Sequence, residues 1–177
     1  MTITIKGQTR RAFTFPAKMP DAFRFYCNAP VILKLLPHIS LTHTYGPDCF
    51  RMLYSTTELG VYRIRLYCDV RVQPDLENRT LRFIPFDGSM PVEPESGLST
   101  STGQGHYSSE SVFHDEGSQT RVDYSLQLNA SLPAPLSAIF MPPGVRDAIA
   151  AGITDRRIRE IAGGFIERSI RLYNHKA

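Results

Sequence analysis

His106-Tyr107-Ser108-Ser109-Glu110-Ser111 is the densest run of reactive side-chain types in the chain. It holds a base, a phenol, hydroxyls and an acid, the types from which a nucleophile–base relay is assembled. The spacing works against a relay, because adjacent strand residues point to opposite faces and do not converge on one atom. GxSxG, HExxH and a glycine-rich phosphate loop are missing, and Gly103-Gln104-Gly105 is too short a match for the last. His38 and His43 differ by an odd number and face opposite ways on one strand. His106 and His114 share a face but would stand about 26 Å apart, at about 3.3 Å per residue. No metal site, cofactor or catalytic residue is therefore assigned. A general acid–base pair such as Tyr107 with His43 stays open in a pocket.

What the spacing does offer is a lining. By alternation the inward positions include His43, Tyr45, Tyr54, Tyr62, Leu66, Tyr107, Tyr124 and Leu126, with Ser109 and Ser111 beside Tyr107. Ile161 and Phe165 join them from a helix. Apolar walls with a few phenols suit an amphipathic, mostly apolar ligand whose polar head the phenols orient.

The elements that must position these residues come in a simple order. Alternating segments run from about Thr9 to Ala130, and one amphipathic helical segment follows from about Gly144 to Tyr173. The first strand, Thr9–Pro16, is followed by two short helices, Ala22–Asn28 and Pro30–Leu36. Then Ile39, Leu41, His43 and Tyr45 share a face, as do Phe50, Met52 and Tyr54. The cleanest strand alternates Tyr62, Ile64, Leu66, Cys68, Val70 and Val72 with charged or polar neighbours. Thr80–Phe86 is a further strand. Asp87–Thr102 reads as a long loop, a candidate lid. Gln104–His114 and Gln119–Ala130 form a hairpin about Asp115-Glu116-Gly117, and a proline-rich crossing, Leu132–Pro143, leads to the helix.

An antiparallel sheet leaves one apolar face to be covered. One helix cannot cover a broad curved sheet completely, so a cavity between them is expected. The expected class is α+β: a curved antiparallel sheet of about seven strands around a long C-terminal helix, with two short helices after strand 1, in one domain spanning residues 1–177. At 100° per residue, Ile158, Ile161, Phe165 and Leu172 form one stripe, and Val145, Ile149 and Ile153 form another nearly opposite. That predicts a break near Gly152-Ile153-Thr154, with Thr154 as a cap. Gly163 and Gly164 would admit a close neighbour. Arg156, Arg157, Arg159, Arg168 and Arg171 read as a solvated face or a docking face, with Glu160 and Glu167 pairing Arg156 and Arg171.

A net charge of +3 over 177 residues is too small to indicate nucleic acid. No run approaches the roughly 20 apolar residues of a membrane span, and the first residues lack the pattern of a secretory signal. Three cysteines without a close pair suggest buried thiols in a reducing, cytoplasmic setting.

Three stretches carry a resemblance: GHYSSESVF (Gly105–Phe113), VDYSLQLNASLPAPL (Val122–Leu136) and MPPGVRDAIAAGITDRRIREIAGGFIERSIRLY (Met141–Tyr173). With the element order, they resemble the START-related, pollen-allergen-like superfamily called SRPBCC, and within it a cyanobacterial and plastid branch of unknown function. The resemblance implies a helix-grip fold with a deep apolar cavity. It implies a lipid, carotenoid or tetrapyrrole-like ligand, no transferable catalytic residue, and a cytoplasmic or stromal place, peripheral to thylakoid membranes. Two other functions stay open: an assembly factor docking on a protein or membrane through the terminal helix, and a cyclase-type enzyme.

Overall fold

Period-two alternation and proline- or glycine-marked turns build the sheet; a computed structural model describes residues 1–176 of it and of the helix it holds. In chain order come β1 (Thr2–Phe15), α1 (Met19–Tyr26), α2 (Ala29–Leu33), β2 (Ile39–Thr44), β3 (Cys49–Glu58), β4 (Tyr62–Asp75), β5 (Thr80–Pro85), β6 (Glu95–Ser96), β7 (Thr100–Asp115), β8 (Thr120–Pro133), a 3-10 turn (Leu136–Phe140) and α3 (Pro143–Lys176). The main path of the sheet is β1-β8-β7-β5-β4-β3-β2. It curves around α3, as the sequence predicts.

Four details differ from expectation. β1 starts at Thr2, so Ile3 and Ile5 extend the wall; they pair with Leu132 and Ala130. The expected loop 87–102 contains β6, an eighth strand of two residues, which pairs with Thr102 and Ser101 of β7. The start of β7 runs parallel to β4, Arg63–Cys68 against Thr100–Gly105, because β5 is too short to separate them there. Gly103 and Gly105 suit this crowded stretch. A Cβ on Gly105 would lie 2.8 Å from Ala130 Cβ and 3.0 Å from the Asn129 carbonyl.

The fourth difference is α3, which is unbroken from Pro143 to Lys176. Thr154 does not cap a second helix; its hydroxyl donates back to the Ala150 carbonyl at 2.7 Å. The two stripes do face different ways, but only one of them is buried. The Ile158–Phe165 stripe is covered, while Val145 and Ile149 stay exposed, so no break is needed. α3 comes closest to the sheet at Gly7, where a Cβ would lie 2.5 Å from Ile158 Cδ1. Gly164 admits Pro37, whose Cγ would stand 2.5 Å from an added Cβ; Gly163 has open space. Among the described residues no helix is long and apolar enough to cross a membrane.

Candidate functional site

The space between sheet and helix is sealed at one end and open at the other. At the sealed end α1 and the last turns of α3 bring aromatic rings together on β1 and β7. Tyr26 lies edge-on to Phe15, Phe113 and Phe165, with centroids 5.2, 5.4 and 5.9 Å away. Its hydroxyl shares a 2.9 Å hydrogen bond with Ser169. Tyr173 closes the group on Phe15 at 5.0 Å. Such edge and tilted pairs add about 0.5–1.5 kcal/mol each beyond area burial.

From this plug toward the other end of α3 lie three neighbouring voids that share lining residues. The innermost, about 20 Å³, lies among Tyr54, Leu66, Tyr107, Leu126, Ile158 and Ile161. The next, about 50 Å³, shares Tyr54, Leu66 and Ile161 and adds Thr56, Glu58 and Arg157. The outermost, about 90 Å³, shares Ile5, Glu58, Ile64 and Ile153 with the middle one. It opens among Leu59, Tyr62, Ala138, Met141, Arg146 and Ile149. Together they make a narrow channel with carbon walls. Small-molecule sites usually span about 300–1,000 Å³, and each of these voids is well below that, so only a slim group fits them.

Of the ten expected lining residues, six line this channel: Tyr54, Tyr62, Leu66, Tyr107, Leu126 and Ile161. Tyr124 and Phe165 sit just past its inner end, ring against ring at 5.1 Å. The Tyr124 and Tyr107 hydroxyls are 3.5 Å apart. His43 and Tyr45 are on the other face of the sheet. The pairing of β2 with β3 slips between Leu41 and His43, and this bulge sets His43 opposite Arg51. One extra residue reverses the facing of all that follow it. The pair of Tyr107 with His43 is thereby excluded, since the sheet separates them.

Burial governs the phenols. Desolvation raises the pKa of Tyr54 to about 12 and lifts those of Tyr26, Tyr107 and Tyr124 above the usual tyrosine value. At neutral pH these groups can donate a hydrogen bond but cannot abstract a proton.

Sequence reasoning missed the polar centre of the channel. Glu58 is 2 % exposed, on the inner face at the end of β3. Its carboxylate accepts from Arg157 Nε at 2.7 Å, Arg157 Nη2 at 3.2 Å, Arg156 Nη2 at 3.1 Å and the Thr56 hydroxyl at 3.1 Å. Arg157 also donates to Glu160 at 2.6 Å, and Glu160 is 2.7 Å from His38 Nε2. His38, held at φ 62°, forms the corner before β2. The hydrogen bond to His38, followed by that from Arg157, holds the Glu160 carboxyl below its ordinary pKa. The chain of hydrogen bonds thus straps α3 to β3 and to the α2–β2 corner. It also corrects the sequence reading of this helix face. Glu160 pairs with Arg157 rather than Arg156, and both arginines pair with the buried Glu58, Arg157 from a mostly covered position and Arg156 from an exposed one. The Glu167–Arg171 pair is present.

The expected lid has two other tasks. Its first part covers the outer face of the sheet, where Arg51 and Asp69, 4 % and 2 % exposed, form two 2.7 Å hydrogen bonds. Arg51 also donates to the Met90 carbonyl. Gly88 fits tightly there: a Cβ would lie 2.3 Å from Asp69 Oδ2 and 2.5 Å from the Tyr45 hydroxyl. Its second part braces the channel mouth. The Gly97 carbonyl accepts from Leu136 N–H at 3.0 Å, and the Leu98 carbonyl accepts from the Ser137 N–H and hydroxyl at 3.1 and 2.6 Å.

No protein-family model and no curated protein matches the sequence. Solved structures do. TTHA0849 from Thermus thermophilus aligns with 94 % of this chain and 99 % of its own, at 18 % identity and a TM-score of 0.53. The Zhui aromatase/cyclase from Streptomyces sp. R1128 aligns over 94 % and 96 %, at 11 % identity and 0.50. The di-domain aromatase/cyclase StfQ of the steffimycin pathway matches 97 % of this chain with 52 % of its own, at 10 % identity and 0.54. At such identities the likeness is one of architecture: this chain has the helix-grip fold seen in those aromatase/cyclase structures.

Proposed function

We propose that this protein binds and carries a hydrophobic small molecule, without transforming it, in the channel between the sheet and α3. The observation that carries this reading is the row of three voids with shared lining residues, from an open mouth to the Tyr107 phenol. Their narrow bore favours a single acyl chain over a carotenoid or a tetrapyrrole. A cyclase-type reaction is what the neighbours' names suggest, but the channel phenols are held protonated and His43 lies beyond the sheet. The resemblance of Met141–Tyr173 adds a cyanobacterial or plastid setting to this proposal.

The test is extraction of the purified protein followed by mass spectrometry, and titration with a fluorescent fatty acid. Ile153 lines both outer voids, so Ile153→Trp should fill the passage and weaken binding roughly tenfold or more, while the protein stays folded. Absence of any co-purified apolar compound, together with no uptake of the probe, would refute the carrier reading.

A second reading, docking on a lipid surface, has an observation of its own. Among the described residues, eleven large apolar side chains are exposed; Leu59 and Ile149 line the mouth, and Ile139 and Phe140 lie between its lining residues Ala138 and Met141. Leu98 is hydrogen-bonded to Ser137 beside them, Val145 adjoins Arg146, and Phe140 is 91 % exposed. A cluster of exposed apolar side chains marks an interaction site, and here a chain leaving a bilayer would enter the channel without crossing water. The expected docking face is therefore the mouth rather than the arginines of α3. Phe140→Asp should abolish co-sedimentation with phosphatidylcholine vesicles; equal sedimentation of both proteins would dismiss this face.

A further inference from the structure

Arg146 is an anomaly in the channel mouth. It lies in the first turn of α3, only 9 % exposed, and lines a mostly apolar opening whose other charged residue is Glu58. Its Nε is the one buried side-chain nitrogen or oxygen among the described residues that has no hydrogen-bond partner. One Nη donates toward the Met1 sulfur, a weak acceptor. The nearest carboxylate, Asp147, is 3.5 Å from Nε, but its side chain is 65 % exposed and turned to water. The other carboxylate of this opening, Glu58, already accepts from Arg156, Arg157 and Thr56. A buried guanidinium with an unfilled donor is costly unless an anion completes it.

We propose that Arg146 makes the mouth a receptor for an anionic head group, a carboxylate or phosphate monoester, on a single-chain amphiphile. The inference rests on the carrier reading and adds the ligand's charge to it. The head pairs with the planar fork of Arg146, whose geometry matches two oxygens of either group. The tail runs inward past Ile153 and Ile64 toward Tyr54.

The experiment compares oleate, oleoyl lysophosphatidate and oleyl alcohol, with acetate and inorganic phosphate as tail-less anions, on the full chain and on Arg146→Met and Arg146→Lys. The expected result is binding of at least one of the anionic lipids roughly tenfold or more tighter than the alcohol, weaker at high salt. Arg146→Met should lower both anionic lipids to the alcohol's affinity, with Arg146→Lys retaining part of the preference. Whichever of oleate and lysophosphatidate binds more tightly identifies the head. Equal affinity for the anionic lipids and the alcohol, or a preference that survives in Arg146→Met, overturns the proposal while leaving the carrier reading intact. Displacement of bound oleate by phosphate alone at similar concentration also overturns it, since the site would then be for a free anion. Failure of all three lipids to bind defeats the carrier reading itself.

Discussion

Glu58→Ala is expected to cost about 3–5 kcal/mol of stability, the usual penalty for stripping one partner from a buried ion pair. At the size of this chain that lowers the melting temperature by about 10 °C. The cause is the charge left behind. With Glu58 gone, Arg157 keeps only Glu160, and its own side chain is just 19 % exposed. Arg156, at 60 % exposure, can turn to water and contributes little. Replacing both partners, Glu58→Leu with Arg157→Met, should recover most of the loss, because apolar groups of similar size suit a carbon-walled channel. Urea unfolding of the two single variants and the double one measures both effects. A loss under about 1 kcal/mol for Glu58→Ala would mean that the pair behaves as an exposed one.

The strap shows where the sequence was legible. Parity along β4 gives Ile64, Leu66 and Cys68 to the inside, and they are there. Carried two steps past Tyr54, the same parity reaches Thr56 and Glu58, so the alternation itself places the carboxylate inside. A charged residue at an inward position near Gly60 simply reads as the end of a strand. Arg157 was legible too, since it falls about 40° around the helix from Ile161. Arg146 falls about 20° from Ile153, on the stripe that faces the mouth. Charge alone suggests a solvated face, and the angle should have outweighed it. The alternation of Ile3 and Ile5 was visible but short. The bulge before His43 was not visible at all. A bulge is one extra residue that leaves composition and local period almost untouched, and it is specified by the partner strand. The three-dimensional use of loop 87–102 was equally hidden, because a Gly88 seated on Asp69 depends on a contact between segments far apart in sequence.

Above pH 10 the fold is expected to fail steeply, and the phenols are the reason. Tyr54 has its pKa raised to about 12, and burial lifts Tyr26, Tyr107 and Tyr124 in the same direction. The sign follows from proton counting. Between the ordinary tyrosine pKa of about 10 and the raised folded value, the unfolded chain has lost the proton and the folded chain keeps it. The unfolded state then binds fewer protons, so stability falls as pH rises. Below pH 10 the contribution is fully present. A phenol held in this way tilts the balance by about 1.4 kcal/mol per pH unit until its own folded pKa is reached, so Tyr54 alone contributes about 3 kcal/mol between pH 10 and about 12, and the other three act in the same direction. Set against a total stability of about 5–15 kcal/mol, this is a large loss, and unfolding should occur in the alkaline range above pH 10. Phenolate absorbance near 295 nm and far-ultraviolet circular dichroism, followed together, provide the measurement. The buried tyrosines should ionise only as the backbone signal collapses, and Tyr107→Phe or Tyr124→Phe should make the alkaline loss shallower. If all eight tyrosines titrate reversibly near pH 10 with the backbone signal intact, the inner end of the channel is open to water. The sealed, apolar vessel would then be the wrong description of this molecule.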